Sequence, residues 1–211
     1  MRKTGSKAKP RRGKKITPEY LERAAFHYLG RYASSSGNLA RILERKVKRR
    51  LEPGAEAPDG AGEWITGVVA KCVRLGLVDD RAFGAAKIRS MTRAGRSRRQ
   101  IYGYLRSKFL DGELITGLIE EAYAEEGLSE MAAALKYAKR RRFGPFSRSV
   151  ADAPPARPDA VAPVDREEAE KARRRVMSAF SRAGFPYAMA RKILAAKTVK
   201  EAEALAGEEV V

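Results

Sequence analysis

Apolar residues return along this chain every three or four positions, the period of a helix with one buried face. Leu21, Ala24, Ala25, Tyr28 and Leu29 form a first stripe. Thr17-Pro18-Glu19 open it with a capping hydroxyl, a proline at the first helical position and an acid on the positive end of the dipole. Ser34-Ser35-Ser36-Gly37 reads as a turn, and Leu39, Ile42, Leu43 and Val47 make the second stripe. EPGAEAPDGAG at 52–62 breaks the pattern. A third stripe, Trp64, Ile65, Val68, Val69, Cys72 and Leu75, is closed by Gly76, a natural helix stop. No segment alternates polar and apolar convincingly, so no β-sheet is expected.

The triplet then recurs. Ala82, Phe83, Ala86 and Ile88 predict a helix ending at Ala94-Gly95. Ile101, Leu105 and Phe109 predict one ending at Asp111-Gly112. Leu114, Ile115, Leu118, Ile119 and Tyr123 predict one ending at Gly127. WITGVVAKCVRLGL and LITGLIEEAYAEEGL share Ile-Thr-Gly, a following apolar pair and a closing Gly-Leu. The unit is about 50–60 residues, which suggests tandem three-helix modules. A third copy starts at Ser129-Glu130 with Met131, Ala134, Leu135 and Ala138. It resumes with Ala172, Val176, Phe180 and Ala183, stops at Gly184, and ends through Ala190, Ile193 and Leu194.

The expected architecture is all-α: nine helices in three tandem three-helix repeats forming an elongated curved array. The boundaries are a disordered basic arm at 1–16, repeats at 17–77, 78–128 and 129–196, and a flexible acid-tipped tail at 197–211. Inside the third repeat, 144–165 holds five of the ten prolines and is expected as a mobile loop.

GLVDDRAF at 76–83 puts two adjacent carboxylates, Asp79 and Asp80, into a basic chain. They follow a helix stop and precede an apolar stripe, where a carboxylate accepts from free backbone N–H groups and offsets the dipole. Metal or acid–base chemistry would call for further Asp, Glu or His at helical spacing on the same face, and none follow. Both are therefore read as structural caps. His27 lies among aromatics on a helix, and Cys72 falls on an apolar stripe as a small core residue. No nucleotide-binding glycine motif occurs. These residues predict no catalytic, cofactor or metal site, no small-molecule substrate and no enzymatic activity.

Charge changes the picture more than composition does. Lys and Arg number 44 against 26 Asp and Glu, a net charge of +18, which should attract a polyanion, nucleic acid above all, or an acidic protein surface. Residues 1–15 carry eight of those cations and no acid, so about +10 belongs to the remainder. The absence of a long apolar run or a signal-like start predicts no membrane span, and the lone cysteine suits a cytoplasmic location.

Within the helices three cationic groups stand out. With Ile101 and Leu105 inward, Arg99, Tyr102 and Arg106 take the opposite face, with Arg96 and Arg98 close by in the chain. Two guanidiniums flanking an aromatic suit a phosphate backbone, an acidic groove or a stacked base. Arg140, Arg141 and Arg142 end the first helix of the third repeat, where they also complement the dipole. Arg173, Arg174 and Arg175 sit in its second helix, where Arg174 points away from the Ala172–Val176–Phe180 stripe. If the two helices are antiparallel neighbours, these clusters could share a face.

GLVDDRAF, the following AGRSRRQIYGYLRSKF, the entry LERAAFHYLGRYASSSGNLARIL and the exit EKARRRVMSAFSRAGFPYAMARKIL together resemble the RecX regulatory proteins of bacteria. The resemblance spans about residues 18–195 and leaves out the arm, the proline-rich insert and the tail. It implies three tandem three-helix repeats and a partner, the RecA recombinase on its single- or double-stranded DNA filament. It also implies suppression of RecA ATPase, coprotease and strand-exchange activity, in DNA repair, recombination and the SOS response. A monomer is the default expectation for a repeat array. The competing expectation is a stand-alone basic helical protein that binds DNA or RNA.

Overall fold

A computed structural model describes residues 15–51, 54–125, 127–147 and 163–207. Residues 1–14 of the arm predicted at 1–16, residues 148–162 of the insert and residues 208–211 lie outside them. The described residues contain ten α-helices and no strand, so the protein is all-α. They are α1 (Pro18–Leu29), α2 (Ser36–Lys48), α3 (Ala61–Arg74), α4 (Asp80–Arg93), α5 (Arg98–Ser107), α6 (Gly112–Glu125), α7 (Glu130–Arg141), α8 (Pro163–Arg182), α9 (Tyr187–Ala195) and α10 (Val199–Ala204). The chain divides into two units, ending at and beginning after Asp80.

In the first unit Thr17 caps α1 and Ser35 caps α2, each hydroxyl accepting from a backbone N–H three residues on. The α1 and α2 stripes close over α3: Leu21, Ala25, Leu39, Leu43 and Cys72 are fully buried, with Ile65, Val68 and Val78 beside them. Gly76 takes φ +68°, and the Leu77 N–H reaches back to the Cys72 carbonyl, which ends α3 as expected. Leu75 was expected on the core stripe. It lies instead past the last helical turn and is 57% exposed.

The second unit holds two core clusters, one fed by α4–α6 and one by α7–α10. In the first, Ile88, Ile101, Leu105 and Ile115 are buried with Phe83 and Leu118. Expected core positions Ala82 and Ala86 are exposed, because α4 meets its neighbours through Gly84. A Cβ added there would stand 2.6 Å from Leu118 Cδ1. Phe109 also leaves the core: it takes φ +62°, 48% exposed, and Leu110 enters in its place. Asp111-Gly112 does not close α5, which ends at Ser107. It opens α6, the Asp111 carboxylate accepting from the N–H groups of Glu113 (2.8 Å) and Leu114 (3.1 Å).

In the second cluster Phe180, Ala134, Ala138, Ala190 and Ile193 are fully buried, and Tyr137 packs edge-on against Phe180 at 5.3 Å between centroids. Two expectations are corrected here. Gly144–Phe146, assigned to the loop, form a short 3-10 turn with Gly144 buried, because Phe143 and Phe146 pack on this core. Val199–Ala204, assigned to the tail, form α10: Thr198 caps it and Ala202 is fully buried. One core cluster for each predicted triplet of helices is compatible with three tandem repeats.

Candidate partner-binding surface

Carboxylates at helix starts organise both units. Asp80 is the first residue of α4, yet its carboxylate does not cap that helix. It accepts from the Ser36 backbone N–H at 2.7 Å and from the Ser36 hydroxyl at 2.6 Å, at the N-terminus of α2. The expectation that it caps the helix it precedes is thereby corrected, since a free N–H of an earlier helix lies within its reach. Asp79, the other predicted cap, is exposed just ahead of α4. The device repeats in the second unit. Glu130, first residue of α7, receives the Arg98 N–H at 3.1 Å on both carboxylate oxygens, at the start of α5. Tyr123 donates its hydroxyl to the same carboxylate at 3.1 Å, and the Arg98 guanidinium lies 3.8 Å above the Tyr123 ring. Burial, with the Glu130 charge adding to it, pushes the Tyr123 phenol up to about 12.

The α4–α5 turn is clamped from two sides. Its Gly95, at φ +71°, lies so close to α7 that a Cβ would sit 3.0 Å from Lys136 Cβ and 3.1 Å from the Ala133 carbonyl. Lys136 Nζ donates to the Arg93 carbonyl at 3.3 Å and Arg140 to the Ala94 carbonyl at 2.7 Å. On the other side Ser97, which caps α5, donates its hydroxyl to the Ala183 carbonyl at 2.6 Å at the end of α8. Gly184 can follow only without a side chain, since a Cβ would stand 2.6 Å from Ser97 Oγ.

The predicted cations divide accordingly. Arg99, Tyr102 and Arg106 are exposed on α5 and Arg96 is exposed in the turn before it, although Arg106 also donates to the Leu110 carbonyl at 2.9 Å. Arg98 is committed to Tyr123 and Glu130, and Arg140 to the turn, so both build the surface as well as charging it. Arg141 lies 5.6 Å from the Phe143 ring, and Arg142 ends α7 in a left-handed conformation at φ +57°. Arg173, Arg174 and Arg175 are exposed on α8, Arg174 paired with Glu170 at 3.1 Å one turn earlier. The N-terminal end of α7 and the C-terminal end of α8 bond to the adjacent residues Arg98 and Ser97, and Tyr137 donates to the Ala179 carbonyl midway. The two helices therefore run antiparallel, and the 140–142 and 173–175 clusters lie towards the same end of the pair.

Among the described residues no three or more His, Cys, Asp and Glu gather where they could hold a metal ion. Comparison with known proteins identifies the family. A regulatory protein RecX of Myxococcus xanthus is 36% identical over 185 residues, covering 88% of this chain and 89% of its own length. The chain belongs to the RecX family. A regulatory protein RecX of Agrobacterium fabrum is 26% identical over 185 residues, covering 87% and 86% of the two chains. No family model matches the chain.

As a RecX-family protein the chain is a regulatory protein. No helix among the described residues is long and apolar enough to cross a membrane. Further surface cations are Lys136 and a group at the end of α2. Lys136 was hidden because nothing in the sequence brings α7 against the turn after α4. Arg45, Lys48 and Arg49 are exposed towards the end of α2, where RKVKRR was a legible charge run that its place at a helix C-terminus excuses.

Proposed function

We propose that this RecX-family protein binds the RecA recombinase on its DNA filament and inhibits its ATPase and strand exchange by blocking filament growth. Membership of the RecX family over most of the chain carries the reading. The binding residues we propose are Arg96, Arg98, Arg99, Tyr102, Arg106, Arg140–Arg142 and Arg173–Arg175, with three helical repeats as the units of contact and a cytoplasmic monomer as the acting form. Their chemistry supports this: guanidiniums pair with carboxylate and phosphate alike, and a recombinase on DNA offers both. The deciding experiment is RecA ATPase on single-stranded DNA with sub-stoichiometric protein. Suppression supports the proposal, and unchanged turnover at micromolar protein in moderate salt overturns it.

The net charge of +18 also favours a second reading, a stand-alone DNA- or RNA-binding protein. A steep salt dependence of nucleic-acid binding with no effect on RecA would select it.

A further inference from the structure

The fold assembles positive charge where the sequence keeps it apart. Residues 93–99 and 136–142 together contain nine Lys and Arg and no acid. The contacts of Gly95, Lys136 and Arg140 lay these segments side by side. Only two of the nine have a carboxylate within ion-pair distance among the described residues, Arg98 with Glu130 and Lys139 with Glu203. Lys136 and Arg140 donate to the Arg93 and Ala94 carbonyls, which holds their charge against the turn that carries Arg93 and Arg96 and supplies no carboxylate to neutralise it. Like charges packed this way repel, and an external polyanion would relieve the repulsion.

The surroundings select which polyanion. Protein interfaces are anchored by exposed aromatic or aliphatic side chains, and no large exposed apolar residue lies in either segment. A phosphate backbone asks only for cations at its own spacing. The α5 N-terminus beside the ridge is already filled by Ser97 and Glu130, so side chains and not free helix N–H groups do the recognising.

We propose that Arg93, Arg96, Lys136 and Arg140 form a binding site for the phosphate backbone of nucleic acid. This deepens the reading of a protein acting on a DNA-bearing filament and rests on it for its setting. The site lies on the clamped turn, apart from the Tyr102–Arg106 face of α5.

The test uses the full chain and the triple variant Arg93→Gln/Arg96→Gln/Lys136→Gln, which keeps Arg140 to hold the turn. Binding of a labelled oligothymidylate and of a duplex is followed by anisotropy through a salt series. Loss of three phosphate contacts should reduce the single-strand log–log salt slope by about 2, with a greater reduction on duplex. Affinity at low salt should fall by roughly tenfold or more, while Arg191→Gln on α9 behaves as wild type. A triple variant with an unchanged melting transition and the wild-type slope on both nucleic acids overturns the proposal. So does wild-type protein that binds neither, or polyglutamate binding that depends on the three residues as strongly as DNA does. RecA ATPase suppression by the wild type, measured on the same preparation, tests the regulatory reading separately from the slope.

Discussion

Replacing Glu130 by alanine should destabilise the second unit more than its place at a helix start suggests. Its carboxylate holds the Arg98 N–H and the Tyr123 hydroxyl, each at 3.1 Å, with the Arg98 guanidinium nitrogen Nε 3.8 Å away. Hydrogen bonds to a charged acceptor contribute about 1.5–3 kcal/mol each. The residue is only 8% exposed, so its loss leaves a backbone donor and a phenol facing a small void. Half of the Arg98 side chain is in water, which relieves part of this. The expected loss is about 2–4 kcal/mol, against about 1–2 kcal/mol for Glu130→Gln, which keeps one acceptor oxygen but not the charge. Urea unfolding followed by circular dichroism measures it. A change below about 0.5 kcal/mol for Glu130→Ala, within the range of an ordinary surface substitution, would refute the assignment of this carboxylate as the tie between α5 and α7. Tyr123 supplies an independent readout. Its raised value means the folded protein keeps the phenol neutral while the unfolded chain ionises near 10. The stability it contributes is complete below pH 10 and lost as pH rises towards 12. In Glu130→Gln the phenol should titrate lower, yet still above 10, because burial is the larger cause. Ultraviolet titration of the phenolates checks this.

Asp80→Ala should lower the first unit's stability by about 1–2 kcal/mol, read from the fluorescence of Trp64, the only tryptophan. Gly184→Ala should cost about 2 kcal/mol or more, since its φ of +81° and its 2.6 Å approach to Ser97 Oγ both exclude a side chain. Gly67→Ala and Gly117→Ala, in helix interiors with open space at the Cβ position, should each stabilise by about 0.5–1 kcal/mol in the same urea assay. Cys72, fully buried and with its thiol pushed up by burial, should resist a thiol-alkylating reagent in the folded protein and react once urea unfolds it.

The all-helical class, the stripes of α1 to α3, the cap Thr17 and the stop at Gly76 were legible in the sequence, because each depends on neighbours within about one helical turn. What failed were positions where a distant segment intervenes. Phe109 and Leu75 look like core residues by spacing but fall past the last turn of their helices, so the period no longer governs where they point. Asp80 looks by position like a cap of the helix it opens, whereas its carboxylate reaches a helix that starts 44 residues earlier. α10 looks like tail in the sequence because so short a helix exists only where a core receives Ala202. The arginines were visible as charge. Which of them hold the fold and which face solvent depends on what packs beside them: Tyr123 under Arg98, the Ala94 carbonyl under Arg140, the turn under Lys136. Local periodicity thus determined the helices of this protein, and long-range packing alone decided its cationic surface, because a side chain's partners across space leave no period along the chain.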